Sequence, residues 1–437
     1  MSKNICFKSL FAVMMFHTMQ TASAAGFGLI EQSATMGNAF AGGAAAAEDA
    51  STLYFNPAGM TYLPDEQLVI GVHAARPSAN FDNDGSTRSA ATGGLATPGG
   101  DGGDGGSWAF IPNICYAKAI TQDIKLGIAM SPLFGLKTEY DKDWVGRYQG
   151  IKSDLKTINI NPSIAFKVNE QVSLGFGISA MRAEAELTNA VDFGTLLGAP
   201  ALFQRRDGIA TIKGDDWGFG WNAGAIFQLT DATRLGISYR SKVHEKLEGT
   251  VSFSNVPAPL AANPAFSKGN VSAKLVTPDN VSLALYHQID DQWGISGDIV
   301  WTGWSSFKDL TVLRNSGTQV ASIPQNWENA IRVAVGTNYK YNDRIKLRAG
   351  IAYDESPVPN EFRTPRIPDS DRIWLSLGGG YKLSPTSSID VAYTHIFFEG
   401  STLNKATESA IPALRDNLKG NYDNYANILS AQYTYSF

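Results

Sequence analysis

Alternation with a period of two is the strongest constraint on this chain, and it is sharpest over residues 425–437. Tyr425, Leu429, Ala431, Tyr433, Tyr435 and Phe437 alternate with Ala426, Ser430, Gln432, Thr434 and Ser436. Such spacing puts one set of side chains on each face of a strand. An aromatic, amphipathic strand in last place looks like the closing strand of an outer-membrane barrel.

The same pattern recurs from residue 65 onward between turn residues. It predicts strands near 65–76, 108–120, 123–131, 155–168, 171–186, 213–229, 233–248, 271–289, 292–302, 329–341, 344–354, 371–383, 387–397 and 424–437. Ile331, Val333, Val335, Tyr339 and Tyr341 oppose Arg332, Ala334, Gly336, Asn338 and Lys340. Leu235, Ile237, Tyr239 and Val243 oppose Arg234, Ser238, Arg240 and Lys242. Charges repeated on one face suit a wet lumen better than a soluble core, so the simplest solution is apolar outside and polar within. Tight-turn sequences such as Asn169-Glu170, Asp290-Asp291 and Asn342-Asp343 alternate with long connections along the chain. That asymmetry belongs to barrels with short periplasmic turns and long extracellular loops; a secreted β-sandwich predicts no such alternation. The expected fold is an all-β, transmembrane antiparallel barrel of fourteen strands.

Upstream, Lys3 and Lys8 flank an apolar run over 10–16, followed by Ala22-Ser23-Ala24. A basic start, a short apolar core and an A-x-A site read as a cleaved signal peptide, residues 1–24, because a spanning helix needs about 20 apolar residues. Removing it takes away two lysines and no acid, moving the net charge from −5 to −7. No basic block points to nucleic acid. Cys6 leaves with the signal and Cys115 stays alone, so the remainder has neither a disulfide framework nor a cysteine metal site.

Residues 25–64 differ from the barrel, 65–437. They are rich in Gly and Ala, with little alternation and the turn Asn56-Pro57-Ala58-Gly59. Small residues and a turn favour a compact insert in the lumen over a disordered tail or a separate periplasmic domain. Residues 82–107 hold Asp82, Asp84, Asp101 and Asp104 among glycines. They lack the spacing and terminal Glu of a calcium loop and are expected to be a flexible acidic surface loop.

Two long loops are unexpectedly apolar. One carries Phe193, Leu196, Leu197, Leu202 and Phe203, the other Phe253, Val256, Leu260 and Phe266. They form either a groove that captures a hydrophobic solute or a cap in which the loops pack on each other. Basic residues at this face, Arg147, Lys152, Arg182, Arg205, Arg206, Lys213 and Lys308, are ordinary lumen or loop charges unless one meets a carboxylate head group. His73, His244, His287 and His395 are scattered, with no H-E-x-x-H, G-x-S-x-G or Walker-type loop. No catalytic residue, metal site or cofactor is expected.

Ala25-Gly26-Phe27-Gly28-Leu29, Gly37-Asn38-Ala39-Phe40-Ala41-Gly42 and Asn56-Pro57-Ala58 resemble the start of FadL-type long-chain fatty acid transporters. Asp216-Trp217-Gly218-Phe219-Gly220-Trp221-Asn222, Tyr239-Arg240-Ser241, Ser356-Pro357-Val358-Pro359 and Asp371-Arg372-Ile373-Trp374-Leu375 extend the resemblance to the barrel. It implies a fourteen-stranded barrel in the outer membrane of a Gram-negative bacterium, plugged by an N-terminal hatch that contains Asn56, Pro57 and Ala58. It further implies passive capture of a long-chain fatty acid between the two apolar loops and release into outer-membrane lipid through a side opening. That opening would lie at a kinked third strand, near Gly127 and Pro132. Arg182, and less directly Lys308, would take the carboxylate. Members of the same family carry small aromatic hydrocarbons, which need neither, and a surface adhesin is a more distant alternative. The protein is expected to act as a monomer.

Overall fold

The computed structural model describes residues 26–33, 37–408 and 415–437; the expected signal segment lies outside them. Fourteen antiparallel strands close into one barrel. They are β1 (Glu66–Pro77), β2 (Ala109–Ala119), β3 (Ile124–Ser131, resuming at Gly135–Glu139), β4 (Lys152–Lys167), β5 (Val172–Asp192), β6 (Asp207–Thr230) and β7 (Thr233–Arg240 and Val243–Phe253). The second half comprises β8 (Gly269–Thr277 and Asn280–Gln288), β9 (Trp293–Thr302 and Asp309–Arg314), β10 (Gln319–Pro324 and Ala330–Lys340), β11 (Ile345–Asp354), β12 (Arg372–Ser384), β13 (Ser387–Phe398) and β14 (Tyr425–Ser436). The ring closes at β14, where Ala431 lies opposite both Val391 of β13 and Val72 of β1. Alternation is inside-out. Outward Phe219, Val335 and Leu429 are exposed to the lipid, while inward Asp298, Arg332 and Arg348 are buried.

Two expectations change. β9 and β10 extend into a hairpin over 309–324 that the sequence pattern did not single out. The acidic glycine-rich loop is folded rather than flexible. Part of it joins a small sheet of Asn80–Asn83, Ser401–Ala406 and Asn417–Asp423. Gly102, at φ 93°, lies on the face of Trp144, which stacks on Tyr140 with ring centroids 4.2 Å apart. A side chain there would separate the loop from the ring. Asp104 bonds Arg76 at 2.7 Å and the amides of Ala79 and Gly106, so its carboxylate serves the loop itself.

Residues 26–33 and 37–64 fill the lumen with short turns, the helices Gly43–Ala46 and Thr52–Phe55, and the 3₁₀ turn Pro57–Tyr62. Small side chains allow this thin packing. A Cβ on Gly224 would collide with Asn56 Oδ1, and one on Gly236 with the Ala44 carbonyl. Asn56 is fully buried; its Nδ2 donates to the carbonyls of Ala44 (2.8 Å), Ala225 (3.1 Å) and Ile237 (3.4 Å), and its Oδ1 accepts from the Ala58 amide. The hatch is thereby bolted to β6 and β7. On the far wall Glu48 is held by Lys346 and Arg348, both at 2.9 Å. Burial opposes the charge on Glu48, but the two cations outweigh it and hold the carboxyl below its ordinary range.

Candidate functional site

The third strand is interrupted. β2 and β4 flank β3 up to Met130 and Ser131, and then Pro132, Leu133 and Phe134 leave the ladder. Proline cannot donate to a sheet, which makes it a natural breaking point. Beyond the break, β3 rejoins β4 alone, with Gly135 opposite Lys156. The stretch of β2 before Ile114 keeps β1 as its only ladder partner among the described residues. Thr157 bridges the irregularity on the β4 side, its Oγ1 accepting from the amides of Leu133 and Phe134.

The vacated edge is taken by the hatch. The Leu29 amide donates to the Leu133 carbonyl at 2.9 Å, and the Gly135 amide to the Phe27 carbonyl at 2.8 Å. Gln32 Nε2 donates to the Pro132 carbonyl at 2.7 Å. Residues 27–29 therefore act as a short strand in the wall, and Leu29 shares a buried apolar cluster with Ala109 and Ile111, in the part of β2 that β3 leaves unpaired.

Phe27, on the same segment, sits at the centre of an aromatic cluster. Its ring lies 4.7 Å from Trp304, 5.4 Å from Trp327, 5.5 Å from Phe307 and 5.9 Å from Phe134. Nearer the long loops, a cavity of about 360 Å³ is lined by Leu187, Val191, Ile212, Phe253, Phe266, Leu310, Val312 and Ile323 together with Arg314, Arg366 and Lys405, and Leu310 also packs against the cluster that holds Phe27. Below it, an interior pocket of about 120 Å³ is bordered by Leu29, Phe40, Phe134, Val300 and Trp304 and by Arg240, Arg332, Asp298 and Asp354. A polar vestibule of about 840 Å³, open to the short-turn end, lies beneath the hatch around Glu48, Lys346 and Asp390.

The charges divide into matched and unmatched. Arg332 pairs with Asp298 at 3.2 Å, and Arg372 faces Asp354 at 3.6 Å. Arg366 is buried, donates only to Lys152 and Thr188 carbonyls and the Ser153 hydroxyl, and burial pulls it down to about 10. Arg314 likewise bonds only the carbonyls of Ala265 and Ser267. Among the described residues neither has an acidic partner. Lys405 pairs with Glu408 at 3.1 Å.

The profile of the family described as outer membrane protein transport protein (OMPP1/FadL/TodX) matches residues 15–437. The chain belongs to the FadL family. It is 31% identical to the long-chain fatty acid transport protein of Escherichia coli K12, over 92% of this chain and 94% of that one. Outer membrane protein P1 of Haemophilus influenzae is 31% identical over 98% of this chain and 99% of its own length. Among solved structures, a Pseudomonas aeruginosa FadL homologue superposes with a TM-score of 0.86 at 28% identity, covering 94% of this chain and all of the other. The Pseudomonas putida toluene transporter TodX gives 0.64 at 21% identity, with 89% and 94% covered, and shows the fold alone. The fold and placement expected from the sequence hold: this FadL-family chain is an outer-membrane, multi-pass β-barrel.

Several individual residues sit elsewhere than expected. Of the nine apolar loop residues, Phe253 and Phe266 line the upper cavity. Phe193 is fully buried against Phe266, ring centroids 5.2 Å apart, so the two loops also pack on one another. Leu196 is exposed, and Leu197, Leu202, Phe203, Val256 and Leu260 are half-buried away from that cavity. Arg182 shares the outward face of β5 with Phe176 and Ile178 and is paired with Glu184 at 3.0 Å and Asp215 at 3.2 Å. It cannot meet a ligand inside the barrel, and period-two parity alone would have revealed this. Lys308 is exposed and borders none of the cavities described above. Gly127 is not at an opening either: it is laddered on both sides, and a Cβ there would meet Met60 Sδ of the hatch at 2.6 Å. Pro132 is at the break. Arg240, Arg314, Arg366 and the aromatic septum were missed because they lie on separate segments that only the closed barrel brings together.

Proposed function

We propose that this protein is a passive conduit for long-chain fatty acids across the outer membrane, releasing them sideways into the lipid. The observation that carries this reading is that one hatch segment, residues 27–29, hydrogen-bonds along the break in β3 and sets Phe27 in an aromatic cluster whose Phe134 and Trp304 border the interior pocket. In this reading Phe27 is the barrier between the upper cavity and the interior pocket, and Leu29 the barrier at the break. Moving that segment joins an apolar mouth, an interior pocket and a lateral exit in one step. Cargo enters at the cavity lined by Phe253 and Phe266, passes the septum, and leaves between β2 and β3 beside Pro132. The two arginines without acidic partners at the mouth, Arg314 and Arg366, favour a carboxylate over a plain hydrocarbon. Relatives named for long-chain fatty acid transport support the same choice. No energy source is needed, since binding and partition into lipid run downhill, and a monomer contains the whole route.

Uptake of labelled oleate and labelled xylene by transport-deficient cells expressing the protein tests the reading. Oleate uptake is expected to exceed the vector control at least tenfold. Xylene uptake alone would assign the chain to hydrocarbons, and uptake of neither would leave a surface role.

A further inference from the structure

The upper wall of the barrel holds a buried carboxyl with no partner. On the upper part of β7, His244, Lys246 and Glu248 point outward and are exposed, so this stretch stands beyond the hydrocarbon, while Val243, Glu245 and Leu247 point inward and are buried. Glu245 is 4% exposed, and neither of its oxygens has a hydrogen-bond partner among the described residues. Leu275 of β8 is opposite it, and Gly218 of β6 makes room for it, since a Cβ there would come within 2.9 Å of Glu245 Cγ. The β6–β7 ladder lapses at this level, between the pairs Asn222–Arg240 and Asp215–Glu248, and Asp216 patches it by accepting from the Lys246 amide at 2.7 Å. Among the described residues Asp216 is the one charged group acting on Glu245, and it has the same sign. Burial, and then Asp216, push the Glu245 carboxyl up to about 8, so at neutral pH it keeps its proton. Glu245 also lies between the two cavities. On the inward face of β7, Arg240 borders the interior pocket and Phe253 lines the upper cavity, with Glu245 between them in the chain. Its neighbours Val243, Leu247 and Leu275 belong to the buried apolar cluster that includes Trp304 of the pocket and packs against Leu310 of the cavity.

We propose that Glu245 meets the cargo's carboxylate midway between the two cavities and donates a hydrogen bond to it from its own protonated carboxyl, which makes Glu245 a specificity-determining residue of the route. The inference rests on the fatty acid reading above. An apolar stretch rejects an isolated carboxylate, just as it penalises an unpartnered carboxyl, and each group supplies what the other lacks. An O–H donor on a carboxylate makes a short, charge-assisted bond, about twice as strong as a neutral one. While the two are in contact, the charge of the cargo joins that of Asp216 in holding the proton on Glu245. Once ionised, the same side chain offers no donor and repels the cargo. Binding of an acid therefore falls as pH rises through about 8, whereas an alcohol carries no charge to be repelled.

The test measures binding of oleate and oleyl alcohol to the purified barrel, as wild type, Glu245→Gln and Glu245→Ala, between about pH 6 and about pH 9.5. Gln keeps a donor but does not titrate, so the ratio of wild-type to Glu245→Gln affinity removes the pH dependence of oleate itself. For oleate that ratio is expected to fall about tenfold across the range, and for oleyl alcohol to change less than about threefold. At neutral pH Glu245→Gln should bind oleate within about threefold of wild type, while Glu245→Ala should weaken oleate about tenfold and the alcohol far less. An oleate ratio that does not fall with pH overturns the proposal. Equal losses of acid and alcohol in Glu245→Ala also overturn it, because Glu245 would then only support the wall. Wild-type protein that binds the alcohol but not oleate at any pH defeats the fatty acid reading, and this inference with it. Should neither variant fold, Asp216→Asn decides, since it removes the like charge and keeps an acceptor for the Lys246 amide. The midpoint of the oleate profile is then expected to move to lower pH, and an unmoved midpoint overturns the proposal.

Discussion

A single side chain, Asn56, holds together elements far apart in sequence. Its amide reaches hatch, β6 and β7 at once from a position without solvent, so its removal leaves three carbonyls short of a donor. Asn56→Ala is expected to loosen the hatch by about 2–4 kcal/mol while the barrel itself stays folded. Hydrogen exchange over residues 44–62 should rise while that of the strands is unchanged. The Asn-Pro-Ala turn was legible in the sequence as a turn, but its partners were not, since Gly224 and Gly236 become a socket only when β6 and β7 lie side by side. Arg182 teaches the converse. Its chemistry fitted a carboxylate, yet strand parity directs it outward to Glu184 and Asp215. Arg182→Ala should leave oleate uptake within about twofold of wild type, because exposed ion pairs contribute little; Arg366→Gln should lower it several-fold.

Among the elements, β3 and the hatch segment beside it have the most to say about gating. The strands were readable because lipid outside and water inside enforce period two, and Pro132 marked the break because it has no amide to donate. The replacement of the missing ladder by residues 27–29 was not readable, since a Gly-rich stretch carries no alternation. Glu31 adds a pH dependence to this segment. Burial pushes its carboxyl up to about 7, against the backbone amides of Ile30 and Glu31 and the Arg372 guanidinium, with Asp354 raising it further. The docked segment thus binds the proton more tightly than an undocked, hydrated one of ordinary pKa near 4.5. Docking is strongest below that ordinary value and weakens as pH rises toward about 7. Exchange over residues 26–33, corrected for its intrinsic pH dependence, should therefore increase from pH 5 to pH 8, and Glu31→Gln should flatten the profile. An unchanged wild-type profile would mean that Glu31 keeps its partners when the segment moves.

On the scale of the whole molecule, the barrel solves two problems with one insert. In the proposed route an acyl chain passes the polar outer surface without being left in the aqueous vestibule, and the wall does not leak. The upper cavity and the aromatic cluster would provide its apolar path, while Asn56, and Glu48 with its two cations, tie the hatch to the walls above the polar vestibule. In that route residues 26–33 are the barrier. The decisive measurement is to replace Gly28 and Phe134, which face each other across the break, with cysteines and to follow oleate uptake with the bridge formed and reduced. Cys115 is buried in the wall and lies away from this pair. Uptake is expected to fall to background when the bridge is formed and to recover to the reduced control on adding thiol. Undiminished uptake through a fully bridged protein would contradict it, because cargo would then be crossing the membrane by another route.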